Sequence, residues 1–157
     1  MSAALEDAAA IRALMDGYGA AVDERDWDAF AALFSDPLAT DFSGIDAAFA
    51  PATLARAAHV AGTRAVLEQF EATQHMITNV QVVLDGDRAR CRAVMRAEHW
   101  LSGLRGAARY TMFGVYENGF VREPGGWRIA RLALRLTREE GNGAVWAEAL
   151  RRAQGGV

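Results

Sequence analysis

The hydrophobic period changes once along this chain, and that change limits the fold more than any single motif does. From Ser2 to about Val22, apolar side chains recur every three or four residues (Leu5, Ala8, Ile11, Leu14 with Met15, Tyr18, Val22), which is the spacing of one helical face. Asp26-Trp27-Asp28 opens a short second helix carrying Trp27, Phe30, Leu33 and Phe34, and Ser35-Asp36-Pro37 stops it. Leu38 to Ile45 is expected as a short strand, and Pro51 to about Ala72 as a third helix with Pro51 near its first turn. From Gln74 onward the period is two. Gln74 to Leu84 is β-branched and ends at the hairpin signal Asp85-Gly86-Asp87. Arg88 to Leu101 alternates Cys91, Ala93, Met95, Ala97 and His99 on one face with Arg90, Arg92, Arg96 and Glu98 on the other. Arg109 to Glu123 and Trp127 to Leu136 follow as strands around Pro124-Gly125-Gly126, and Gly143 to Arg152 as a terminal helix.

Helices first and an antiparallel meander after them is an α+β order, with the N-terminal helices packed on one face of a curved, mostly antiparallel sheet. Such a cone encloses an apolar hollow, the natural place for a small hydrophobic ligand. With 157 residues, one domain spanning 1–157 is expected, its core from about Leu5 to Leu136 and 137–157 a C-terminal extension.

Composition narrows the function classes. A net charge of −3, with basic residues spread along amphipathic elements, argues against nucleic acid or an anionic membrane as partner. Glu6, Asp7 and Arg12 interrupt the N-terminal alanines, and no segment approaches the roughly 18 apolar residues of a membrane span. Cys91 is the sole cysteine, so no intrachain disulfide forms and a reduced, cytoplasmic setting is expected. The three histidines show no ligand spacing, and no metal site is expected. An outer sheet face carrying Val80, Val82 and Val94 points to self-association.

Two residues then stand out as a pair. His75 follows Thr73-Gln74 at the start of a strand, and Asp23 lies on the apolar side of the first helix. A carboxylate bonded to one imidazole nitrogen makes a general base, provided the fold brings the two together.

The order Tyr18…Val22-Asp23, Asp26-Trp27, Thr73-Gln74-His75…Asn79, then Gly114-Val115-Tyr116-Glu117-Asn118…Gly126-Trp127-Arg128-Ile129 resembles the SnoaL-like branch of the NTF2-like superfamily. Within that branch it is most similar to the group containing scytalone dehydratase, hexachlorocyclohexane dehydrochlorinase and bile-acid 7α-dehydratase. The resemblance implies a cone-shaped α+β barrel and a cofactor-independent lyase or isomerase acting on a small, largely apolar cyclic substrate. It implies His75 and Asp23 as the catalytic pair, with Tyr18 matching a pocket tyrosine, His99 a second histidine and Arg131 a pocket arginine of the group. Tyr110, Met112, Gly114 and Tyr116 alternate on one strand face and are expected, with Trp27 and Phe42, to shape the pocket. Gly114 and Tyr116 stand where scytalone dehydratase has a serine and an asparagine, which implies a different substrate. His59 is expected at the surface or rim, and Asn79 and Asn118 in structural roles. The resemblance favours a homo-oligomer, a trimer over a dimer. A non-catalytic ligand-binding or assembly module, like the small subunit of a ring-hydroxylating dioxygenase, and a polyketide cyclase share the fold and remain alternative readings.

Overall fold

A computed structural model describes residues 2–155, so the outermost positions of the expected 1–157 domain lie outside the described residues. Helix α1 spans Ala3–Glu24 and α2 Trp27–Ala32; they are followed by strand β1, Phe34–Asp41. After a 3-10 turn at Ala47–Phe49 come β2, Ala52–Leu54, and α3, Arg56–Leu67. The hairpin strands are β3, Ala72–Asp85, β4, Arg88–Trp100, β5, Arg109–Glu123, and β6, Gly126–Gly141; α4, Gly143–Ala153, ends the chain's regular structure. All six strands form one sheet in the order β2-β1-β6-β5-β4-β3, antiparallel throughout except where β1 lies parallel to β6. No helix among the described residues is long and apolar enough to cross a membrane.

The expected third helix is shorter than its sequence pattern. Ala52–Leu54 pairs with β1, setting Leu38 opposite Leu54 and Thr40 opposite Ala52. The helix begins only at Arg56, whose backbone N–H donates to Asp36 Oδ1 at 3.0 Å. An edge strand that satisfies β1, followed by a carboxylate at the exposed helix start, outweighs the helical pattern from Pro51. Strand β1 in turn starts four residues earlier than expected and runs through Pro37.

Helix α1 lies across the concave face, chiefly against β3. Its buried face is Ile11, Met15, Tyr18, Gly19, Ala21 and Val22, and each fully buried aliphatic side chain contributes on the order of 1.5–3 kcal/mol. At its N-terminal end the Arg122 guanidinium grips Asp7 with two bonds of 2.9 and 2.6 Å while Trp127 Nε1 donates to the same carboxylate at 2.9 Å. At the other end Gly19 lets the helix backbone approach the sheet: a Cβ there would stand 3.2 Å from the His75 carbonyl oxygen. The helix is thus pinned at both ends onto the strands that carry the cavity.

Bulges set the curvature. Asn79 adopts a left-handed conformation, φ 55°, where the β3–β4 register slips between Thr78 and Gln81. The slip reverses the alternation: Thr73, His75 and Ile77 face the core before it, and Val80, Val82 and Leu84 after it. Val80 and Val82 therefore pack inward, contrary to the expectation from simple alternation; the outward apolar side chains are Met76, Val83 and Val94. Asn118 serves a second bulge, between β5 and β6, by accepting the Ala133 N–H at 3.0 Å.

Candidate functional site

Asp23 sits one turn after Gly19, in the last turn of α1, and its carboxylate is held on three sides. Its Oδ2 accepts the backbone N–H of His75 at 2.6 Å; its Oδ1 lies 2.7 Å from His75 Nδ1 and accepts the Thr73 hydroxyl at 2.9 Å. Arg25, in the left-handed conformation that ends the helix, donates to Thr73 Oγ1 at 2.9 Å and to the Val22 carbonyl at 2.7 Å. Partial burial pushes the Asp23 carboxyl up. The His75 ring, the His75 N–H and the Thr73 hydroxyl outweigh it and hold the group below the usual carboxylate value. Because an ionised carboxylate only accepts, His75 Nδ1 is the donor of this pair, and in the neutral form of the ring Nε2 carries the lone pair.

His75 forms part of the wall of a cavity of about 390 Å³ between the sheet and α3. The floor is Met95, Ala97 and His99 of β4, Met112 and Tyr116 of β5, and Leu134 of β6. Helix α3 supplies His59, Thr63 and Val66, the segment after β1 supplies Phe42, Ile45 and Phe49, and α4 supplies Trp146. Tyr18 reaches in from α1, its ring edge-to-face with Tyr116 at 5.6 Å. The two hydroxyls lie close enough for each to perturb the other's ionisation, and burial pushes Tyr18 up to about 12 and Tyr116 well above its usual value. Both are protonated donors at neutral pH.

His99 stands at right angles to His75, ring centroids 5.8 Å apart, and packs against Phe70 and Trp146 at 4.8 and 5.1 Å. Burial first, then the neighbouring His75, pushes it down to about 3, so it is neutral. His59 lies among Phe30, Phe34 and Phe42, and burial alone pushes it down to about 4.

The structure therefore brings His75, Asp23, Tyr18, His99, Tyr116, Met112 and Phe42 to one place, and leaves three expected residues out. Trp27 lies outside the cavity: at the first turn of α2 its indole packs on Phe30 and donates to Glu68 Oε1 at 2.9 Å. Tyr110 stands behind the wall, its hydroxyl bonded to Glu139 and its ring against His99 and Trp146. Arg131 faces outward. Strict alternation places it on the face of Trp127 and Ile129, but the register slip between Gly119 and Phe120 turns it over, and Leu132 and Leu134 take the inner positions. Its guanidinium donates to the Glu117 carbonyl at 2.6 Å and lies 4.0 Å from Asp41.

Sequence reasoning missed four contributors. His59 is only 6% exposed and lines the cavity, although it was expected at the rim; the signal was present, since His59, Thr63, Val66 and Leu67 share one helical face. Trp146 comes from the expected C-terminal extension, where Val145, Trp146 and Ala149 form the inward stripe of α4. Thr73 and Arg25 carry no local signal of their contact with Asp23.

The SnoaL-like domain model matches residues 3–133, and the chain belongs to this family. Among solved structures, the Kfla4162 protein of Kribbella flavida is 33% identical, with a TM-score of 0.87 over 92% of this chain and 99% of its own. The uncharacterised protein Rv2910c of Mycobacterium tuberculosis is 30% identical over 132 residues, 82% of this chain and 84% of its own. Hexachlorocyclohexane dehydrochlorinase LinA-type3 of Novosphingobium barchaimii LL02, at 18% identity, shares the fold with a TM-score of 0.74 over 88% of this chain and 92% of its own. The architecture is the NTF2-like α+β cone.

Proposed function

We propose that this SnoaL-like protein is a cofactor-independent lyase or isomerase in which His75, oriented by Asp23, is the general base for a small, largely apolar cyclic substrate. The observation that carries the reading is the 2.7 Å contact between His75 Nδ1 and Asp23 Oδ1 at the wall of an apolar cavity. It leaves Nε2 as the free basic atom of a ring that helps form that wall. Both catalytic groups are already desolvated in part, the His75 and Asp23 side chains being 7% and 22% exposed. The dehydrochlorinase with the same fold lends support at the level of architecture.

In the proposed step, Nε2 takes a proton from a substrate carbon and His75 becomes an imidazolium, whose charge the Asp23 carboxylate stabilises. The electron pair left on carbon forms a double bond as a neighbouring hydroxyl or halide departs, or the proton returns at another carbon and the double bond shifts. Tyr18 and Tyr116 supply hydroxyl donors for negative charge developing on a substrate or leaving oxygen. A departing hydroxide takes its proton from the imidazolium, directly or through a tyrosine that the imidazolium then reprotonates; when a halide departs, the imidazolium releases its proton to solvent.

General-base catalysis of this kind contributes on the order of 10²- to 10⁴-fold in rate. His75→Ala and Asp23→Asn should each lower turnover by about that factor with the thermal transition retained. Full activity in both variants would end the reading, and a co-purified compound that the protein holds without altering would assign it to the binding modules of this fold.

A further inference from the structure

Helix α3 carries a glycine that its own packing does not require. Gly62 stands in the interior of Arg56–Leu67, where glycine is the least favourable residue after proline. A Cβ added there meets nothing within 4 Å, and the backbone is not left-handed. The glycines of α1 differ. A Cβ at Gly17 would touch Leu33 at 3.4 Å and one at Gly19 the His75 carbonyl oxygen at 3.2 Å, so close approach accounts for both. Gly62 has neither reason, yet it lines the cavity that contains His75.

Exposure supplies the missing reason. Among the residues that line the cavity, only Ala50, Ala52, Ala58 and Gly62 are exposed; the others are buried or half-buried. The cavity therefore reaches solvent on the side formed by α3 and the segment around β2, away from its floor on β4, β5 and β6. No side chain at these four positions extends beyond Cβ. Ala58 and Gly62 lie one turn apart on the same face of α3. Long side chains in a helix lie back over the preceding turn, so a larger residue at position 62 would cover Ala58. No Asp, Glu, Lys or Arg lines the cavity, so the rim presents no fixed charge to attract or repel what approaches. Width is what remains to select by.

We infer that Ala50, Ala52, Ala58 and Gly62 frame a standing open mouth to the cavity, and that Gly62 and Ala58 set the width of what passes. Both are specificity-determining residues that act on access and leave the chemistry to the dyad. The inference rests on the lyase or isomerase reading only in calling what passes substrate and product. A standing mouth requires no movement of α3, so binding carries no conformational delay. A mouth that opened by unwinding α3 at its glycine would behave in the opposite way: Gly62→Ala, which stiffens the helix, would slow exchange.

The test is stopped-flow fluorescence with N-phenyl-1-naphthylamine, an uncharged probe that brightens on leaving water and reads entry and exit without turnover. Gly62→Ala should melt about 2–4 °C above wild type and keep both rates within about twofold. Gly62→Phe and Ala58→Phe should slow entry and exit on the order of tenfold, with Kd held within about threefold because it is their ratio. Ala61→Phe, exposed on the same helix but off the lining, should leave the rates unchanged. Rates unaffected in both lining variants, or slowed equally in Ala61→Phe, overturn the inference. So does a Gly62→Ala variant slowed as much as Gly62→Phe, since flexibility of α3 would then be the gate. Wild-type protein that does not take up the probe overturns it as well. The two readings fail separately: rates that respond as expected, in a protein without turnover, would defeat the enzyme and leave the mouth standing.

Discussion

The Arg25 guanidinium donates to the Thr73 hydroxyl oxygen at 2.9 Å, and this fixes the direction of the hydroxyl's own proton, which goes to Asp23 Oδ1 at 2.9 Å. Thr73 is therefore a one-way relay: its oxygen accepts from an arginine and its hydrogen supports the carboxylate that orients His75. Thr73→Val removes the relay without changing the side chain's volume much, and should raise the Asp23 pKa toward the ordinary carboxylate value. Carboxyl carbon NMR titration reads that shift directly. Turnover should fall, Thr73→Ser should restore both quantities, and an unmoved Asp23 titration in the valine variant would show that the hydroxyl is structural only.

Gly19 controls how closely α1 approaches the dyad. An added Cβ meets the His75 carbonyl oxygen at 3.2 Å and the His75 Cβ at 3.6 Å, so the helix or strand must yield by a few tenths of an ångström. Alanine in a helix interior gains about 1 kcal/mol over glycine, which offsets part of the crowding. Gly19→Ala should therefore leave the melting temperature within a few degrees of wild type but reduce kcat about tenfold or more, because a small misplacement of Asp23 relative to His75 is costly in rate. A large loss of stability with unchanged kcat would contradict this division.

The two tyrosine hydroxyls perturb one another, and single phenylalanine variants test which of them meets the substrate. Both remain protonated at neutral pH, with Tyr18 pushed up to about 12 by burial, so neither contributes a basic limb to the pH–rate profile below about pH 10. Loss of one donor to a developing oxyanion typically costs on the order of 10²-fold or more in kcat. Tyr18→Phe or Tyr116→Phe, whichever hydroxyl meets the substrate oxygen, should show that loss while the other changes little. Near-wild-type rates in both variants would show that neither hydroxyl stabilises charge developing in the reaction.

What the sequence made legible was the order of elements and the dyad; what it hid was phase. Alternation over Arg88 to Leu101 put Met95, Ala97 and His99 on the cavity face because no bulge interrupts β4 there. The same rule misplaced Val80, Val82 and Arg131, each of which lies just beyond a register slip. Asn79 offered a hint, since asparagine tolerates a left-handed φ better than its β-branched neighbours. His75 and Asp23 were identifiable because both chemistry and context marked them. Arg25 and Thr73 were not, because their contact spans 48 residues and depends on how α1 ends. Trp146 was hidden for a simpler reason: the cavity is completed by a helix that follows the strands of the cone.

The last prediction concerns acid. His59 and His99 are buried as neutral rings, pushed down to about 4 and about 3, whereas in the unfolded chain each titrates near 6.5. Between those values the unfolded chain binds more protons than the folded one, so stability rises with pH across this window. It is complete above about pH 6.5 and declines as the pH falls, by about 1.4 kcal/mol per pH unit for each histidine. Asp23 adds to the loss only below about pH 4, because its folded value is depressed from a carboxylate range that begins there. Urea unfolding at pH 7, 6 and 5 should therefore show a steepening loss that precedes the contribution of Asp23. His59 is the cleaner of the two to test, since burial alone shifts it and the rings of Phe30, Phe34 and Phe42 pack against it. In His59→Phe the slope between pH 6 and 5 should fall by about half, and an unchanged slope would mean that the ring accepts its proton while the protein remains folded.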